Sequence, residues 1–176
     1  MRQLILGGAR SGKSRLAEQW AADSGLTVHC IVTAQAGDAE MAARIAHHQS
    51  RRPAHWTLTE EPLALAAALQ THAAADRCLL VDCLTLWLTN LLLSGDEIRF
   101  SDERAALLTA LPQLPGQIIL VSNETGLGIV PLGELSRRYC DEAGWLHQEL
   151  ATRCERVVLT VAGLPLTLKG SPCSTG

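Results

Sequence analysis

Apolar residues in this chain gather into short, nearly unbroken runs. Longer stretches separate them, and there apolar positions recur every three or four residues. The runs are Gln3 to Leu6, Thr27 to Thr33, Arg77 to Asp82 ("RCLLVD"), Gln117 to Ser122 ("QIILVS") and Arg156 to Ala162 ("RVVLTVA"). Each is strand-length, and "RCLLVD" lacks the alternation of a half-exposed strand, so it reads as a strand covered on both faces. Pro165 to Leu168 adds a short edge strand.

The intervening stretches predict helices. One begins near Lys13 and runs to about Asp23, where Gly25 stops it. Asp38 can cap a second through "MAARIAHHQSRR", and Pro53 closes that region. Pro62 to Thr71 reads as a third, with proline at the start, where a missing N–H does no harm. Leu84 to Leu93 is an apolar helix, Ser101 caps the next through Leu111, and the last runs from about Leu135 to Arg153. Strands alternating with helices predict an α/β fold: a mostly parallel sheet with helices on both faces. With neither internal repeat nor linker, the chain reads as one domain, 1–169, followed by a loose tail, 170–176 ("GSPCSTG").

Composition narrows the class. The 176 residues are 47% hydrophobic and 19% charged, a globular balance. The net charge of -3 comes without a basic block, which sets nucleic acid aside as a partner. Leu84 to Leu93 is interrupted by polar residues and too short to span a bilayer. The chain reaches Gly7 after only a few apolar residues, so no secretory leader is expected. The six cysteines (Cys30, Cys78, Cys83, Cys140, Cys154 and Cys173) form no CxxC pair, and no histidine cluster completes a zinc pattern. The expectation is a protein of the reducing cytoplasm, with Cys30, Cys78 and Cys83 as small buried apolar residues.

The chemistry starts at Gly7 to Ser14 ("GGARSGKS"), which fits GxxxxGK[ST] in full. The loop follows a strand and opens a helix, the context the motif requires. Its glycines let backbone N–H groups turn toward a phosphate chain, and the helix N-terminus adds partial positive charge. Lys13 can reach the β and γ phosphates, and Ser14 offers a hydroxyl to Mg²⁺. Asp82, at the end of a buried strand, is the candidate to hold Mg²⁺ directly or through water. The competing reading is an aspartate capping the next helix.

A second constellation lies on the helix after Asp38. Glu40, Arg44, His47 and Arg51 are spaced by four, three and four, along one face. Met41 and Ile45 form an adjacent stripe facing the core, with His48 between the two. Neutral imidazole is a nucleophile near neutral pH and could hold a nucleotidyl group covalently, while the arginines meet departing pyrophosphate. On spacing alone, a histidine on a polar surface face is the commoner case. His29, His55, His72 and His147 lack such company and read as structural or solvated.

Taken in order, "GGARSGKSR", "EMAARIAHHQSRRPAHW" and "VSNETGLGIVP" resemble the bifunctional adenosylcobinamide kinase / adenosylcobinamide-phosphate guanylyltransferase family of cobalamin biosynthesis, over residues 1 to 169. The resemblance implies a RecA-like P-loop NTPase fold and a homotrimer. It implies phosphorylation of adenosylcobinamide with ATP or GTP, then transfer of GMP from GTP to adenosylcobinamide phosphate through a histidine phosphoramidate. By motif position that histidine is His47. Nucleotide contacts map onto Gly7, Gly8, Ala9, Arg10, Ser11, Gly12, Lys13 and Ser14, onto Val32, Thr33 and Ala34, and onto Gln49, Ser50, Arg51 and Arg52. Glu60 and Asp82 match acidic family positions near the nucleotide, with glutamate also found at the latter.

Asn123 and Glu124 leave the fourth strand at the edge where open α/β sheets bind ligands. Gly126 and Gly128 read as tight turns of a loop near substrate or a subunit interface, or as a structural turn. A P-loop presents the γ-phosphate, whereas guanylylation needs the α-phosphorus, so the helix carrying His47 must lie beside the phosphate chain. Two rival readings remain at this point. One is a small-molecule kinase in which His47 only binds; the other is a nucleotide-dependent switch that changes shape without group transfer.

Overall fold

The computed structural model describes residues 1–34 and 52–172. Seven strands form one sheet: β1 (Arg2–Gly7), β2 (Thr27–Val32), β3 (Thr57–Glu60), β4 (Arg77–Asp82), β5 (Gln117–Asn123), β6 (Arg156–Val161) and β7 (Leu164–Lys169). Their order is β3-β2-β4-β5-β1-β6-β7. All neighbouring pairs are parallel except β6 and β7, which are antiparallel with a bulge at Val157/Val158. The described helices are α1 (Lys13–Asp23), α2 (Leu65–His72), α3 (Leu84–Leu93), α4 (Glu97–Ala110) and α5 (Glu134–Arg153). This is the mostly parallel α/β architecture expected from the sequence. The helix predicted after Asp38 lies outside the described residues.

Strand alternation divides the core into two layers. Leu4, Leu6, Leu79, Val81, Ile118 and Leu120 face Trp87, Leu107, Leu146 and Leu150, from α3, α4 and α5. Ile5, Cys78, Leu80, Ile119 and Val121 point the other way, onto Ala17 and Ala21 of α1. Central strands therefore bury both faces, which is why "RCLLVD" shows no alternation. Cys30 and Cys78 are buried as expected, whereas Cys83 is only half-buried.

Three details depart from the sequence reading. Ser101 is interior to α4; the cap is Asp96, whose Oδ1 accepts from Arg99 N at 2.9 Å. Pro62 does not open α2. Glu61 Oε1 accepts from the N–H groups of Leu63 at 2.9 Å and Ala64 at 2.8 Å, and this turn delays the helix to Leu65. Finally, β3 was not anticipated: its sequence is "TLTE", mostly exposed, and parallel pairing with β2 makes it a strand.

The register sets the functional edge. Gly7 lies between Asn123 and Thr160, and Val32 lies between Glu60 and Asp82. The P-loop, both family acidic positions and Asn123 thus end their strands along one carboxyl edge, where such sheets take ligands. β5 separates β1 from β4, so Asp82 faces the loop across an intervening strand.

Candidate functional site

The P-loop is built on steric constraint. A Cβ at Gly7 would lie 2.4 Å from Ser11 Oγ and 2.6 Å from the Thr160 carbonyl oxygen. The chain folds so closely over this position that only glycine fits. Gly12 adopts φ 96° and Arg10 φ 55°, left-handed conformations that turn successive N–H groups into the concavity. Gly163 N–H donates to the Ser11 carbonyl at 2.9 Å, tying the loop to the β6–β7 turn. Gly8, Ala9 and Arg10 are exposed on the outer lip, and Ser11 is buried beneath it.

Lys13 and Ser14 open α1, both half-buried. Lys13 Nζ donates to the Gly8 carbonyl at 3.0 Å, which arcs the ammonium over the loop. Burial lowers its pKa from the ordinary lysine value, and the nearby Cys83 and Asp82 pull the other way. Lys13 and the end of β4 are therefore electrostatic neighbours.

Asp82 does not cap α3; that place is taken by Cys83, with no side-chain cap bond. Its Oδ2 accepts from Arg52 Nη2 at 2.7 Å, with both side chains largely buried. Arg52, the last residue of "QSRR", thereby reaches the carboxyl end of β4. Val32 is buried and Ala34 half-buried at the end of β2. Between them Thr33 is fully buried and its polar groups are engaged: Oγ1 donates to the Cys83 carbonyl at 2.6 Å and accepts from Cys83 N–H at 3.1 Å. Its N–H donates to the Asp82 carbonyl at 3.2 Å, and its carbonyl accepts from Asn90 Nδ2 at 2.8 Å. Thr33 locks β2 to β4. Glu60 stands exposed at the end of β3, level with Val32. His47, Gln49, Ser50 and Arg51 lie outside the described residues.

The oxygen donors fit Mg²⁺. The ion takes one or two protein oxygens and completes its shell with phosphate and water. Ser14 supplies a hydroxyl on the P-loop and Asp82 a carboxylate held in place by Arg52. Among the described residues, no group of three or more His, Cys, Asp or Glu forms an all-protein metal cage.

The sequence reading missed a polar cluster at the end of β5. His147 Nε2 lies 2.8 Å from Ser122 Oγ, and Nδ1 lies 3.9 Å from Glu124 Oε2. Its spacing gave a signal: with Ala143, Leu146 and Leu150 it shares the inward stripe of α5. By contrast His29 and His72 stack at 4.0 Å, and His29 bonds Thr57 and Thr59, consistent with a structural role. The chain bends through residues 126–128, yet the glycines there are not sterically required: a Cβ at Gly126 would meet only Glu124 Oε1, and one at Gly128 would meet nothing.

A family model described as cobinamide kinase / cobinamide phosphate guanyltransferase matches residues 3–168. The chain belongs to this family. It is 73% identical over 172 residues to the bifunctional adenosylcobalamin biosynthesis protein CobP of Pseudomonas aeruginosa, covering 98% of this chain and 99% of that one. It is 40% identical over 179 residues to the bifunctional adenosylcobalamin biosynthesis protein CobU of Salmonella typhimurium, covering 94% and 98%. Among solved structures, the RadB recombinase aligns with a TM-score of 0.53 at 16% identity, covering 90% of this chain and 73% of that one. A Pyrococcus horikoshii OT3 protein aligns at 0.56 and 9% identity, covering 97% and 87%. These two carry the fold alone: a RecA-like P-loop α/β domain. The cobinamide kinase / guanyltransferase is a bifunctional transferase of cobalamin biosynthesis, which sets aside the nucleotide-switch reading. No helix among the described residues is long and apolar enough to cross a membrane.

Proposed function

We propose that both activities use one nucleotide site, with His47 as the covalent guanylyl carrier and adenosylcobinamide and its phosphate as successive acceptors. In the first half-reaction the P-loop and Lys13 hold the triphosphate of ATP or GTP, and the γ-phosphoryl group passes to the acceptor hydroxyl. In the second, the imidazole of His47 attacks the α-phosphorus of GTP and pyrophosphate leaves toward Lys13 and the arginines. The acceptor phosphate then displaces GMP from the histidine. Ser14 and Asp82 would hold Mg²⁺, which supplies neutralisation of phosphate charge when bound. Val32, Thr33, Ala34, Gln49, Ser50, Arg51, Arg52 and Glu60 complete the nucleotide surround. A cytoplasmic homotrimer, implied by the resemblance, belongs to the same proposal; sedimentation equilibrium reads the trimer.

One observation supports this reading above the others. Arg52, close behind His47 in sequence, is ion-paired to Asp82 within the electrostatic reach of Lys13. Arg52 therefore carries a positive charge to the Asp82 end of β4, beside Lys13, which supports the reading. The test uses GTP labelled at the α-phosphate. The expected product is an acid-labile, base-stable protein adduct that cobinamide phosphate discharges and that His47→Ala lacks. Labelling of His47→Ala at the parental level would place the nucleophile on another residue and leave His47 as a binding residue.

A further inference from the structure

Phosphoryl transfer to an alcohol raises a problem that guanylyl transfer does not. The acceptor hydroxyl must shed a proton as it attacks, whereas a phosphate acceptor is already an anion near neutral pH. A neutral histidine nucleophile likewise needs no base. The kinase half-reaction alone calls for a proton acceptor at the phosphate edge.

Glu124 is placed for that task. Its backbone N–H donates to the carbonyl of Gly7, the first P-loop residue, at 3.0 Å. Its Oε1 accepts from Gly126 N–H at 2.6 Å. Its other oxygen faces His147, which is backed in turn by Ser122. Ser122 is 2% exposed and His147 7%, while the Glu124 side chain is 23% exposed. The relay thus begins in the core and ends on an accessible carboxylate at the nucleotide edge. Cys140 of α5 donates its Sγ–H to the Thr125 carbonyl at 3.8 Å, and Tyr139 lies within electrostatic reach of both Glu124 and Cys83. Burial lowers the pKa of His147, opposed by Glu124. A neutral ring with its proton on Nδ1 would turn that N–H toward the carboxylate 3.9 Å away and leave Nε2 to accept from Ser122. Asp82 suits the role less well, because Arg52 occupies one of its oxygens.

We propose that Glu124 is the general base of the kinase half-reaction, with His147 and Ser122 as positioning residues. As the acceptor oxygen bonds to the γ-phosphorus, its proton passes to a free Glu124 lone pair. The bond from the γ-phosphorus to the β–γ bridging oxygen breaks, and the nucleoside diphosphate leaves with that electron pair. Glutamic acid then returns the proton to water. The proposal rests on the family's two activities, and does not depend on His47.

Glu124→Gln keeps an oxygen for Gly126 N–H and removes the base. The two half-reactions are assayed separately: γ-phosphoryl transfer from ATP to adenosylcobinamide, and GMP transfer from GTP to adenosylcobinamide phosphate. The expected result is a kinase kcat lower by about 10²–10⁴-fold, with guanylyl transfer at the parental rate. Formate added to Glu124→Ala restores part of the kinase rate, and Glu124→Asp keeps part of it. His147→Gln lowers kinase kcat by about 10-fold, leaves the KM for adenosylcobinamide unchanged and shifts the acid limb of the kinase pH profile. A kinase rate kept by Glu124→Gln overturns the proposal. So does an equal fall in both half-reactions in variants that retain parental circular dichroism, or formate without effect on Glu124→Ala.

Discussion

The loops after β1 and β5 leave adjacent strands at the same level, with Gly7 opposite Asn123, yet they are built on opposite terms. In the first, backbone crowding dictates residue type: Gly7 sits against Ser11 and the Thr160 carbonyl, and Gly12 is left-handed. In the second, the glycines meet almost nothing, and Leu127, Ile129, Val130 and Leu132 are 71–98% exposed. Gripping phosphate is backbone chemistry and needs the chain to bend where only glycine can. Accepting a proton is side-chain chemistry and needs one well-supported carboxylate. The first leaves a spaced motif in sequence; the second leaves a single glutamate.

The sharpest division between the loops comes from Lys13→Ala. In the proposed shared site both half-reactions draw on the same ammonium, so both should fall by about 10²–10³-fold, in contrast to the kinase-only loss from Glu124→Gln. Loss of one half-reaction alone in Lys13→Ala would mean that the two chemistries do not share the P-loop. A smaller effect separates the glycines. Gly7→Ala forces a methyl against backbone and should cost about 1–3 kcal/mol of stability. Gly128→Ala, with open space around it, should stay within about 0.5 kcal/mol. Urea unfolding midpoints measure both, and equal losses would erase the steric contrast.

The same contrast explains what could be read in advance. The buried strands and α1, α3 and α5 were legible within a residue or so because burial imposes apolar runs and helical stripes. β3 was not, since Thr57–Glu60 at the sheet edge has only Leu58 as a large apolar residue, itself 39% exposed. The start of α4 was misplaced because Asp96 and Ser101 are both acceptable caps, and only tertiary structure chooses between them. At the site, the P-loop and Asp82 could be located from spacing and strand position. The pairing of Arg52 with Asp82, and of His147 with Ser122 and Glu124, joins residues distant in sequence and follows from topology.

The smallest expected effect tests whether His147 is seated as the structure has it. Burial holds its pKa below 6.5, so the folded state resists a proton that the unfolded chain accepts. Stability is therefore full above about pH 6.5 and declines as pH falls, until the folded ring also titrates. His29 acts with the same sign: burial first, then His72 and Arg77, depress it to about 4, so its share is lost between the ordinary value and that one. His147→Gln should flatten the acid decline of the unfolding midpoint while leaving the part due to His29. Glu124→Gln should extend it, because the carboxylate favours the charged ring and its removal drives the His147 pKa lower still. An acid decline indifferent to both substitutions would detach His147 from Glu124 and leave the β5 loop without its support.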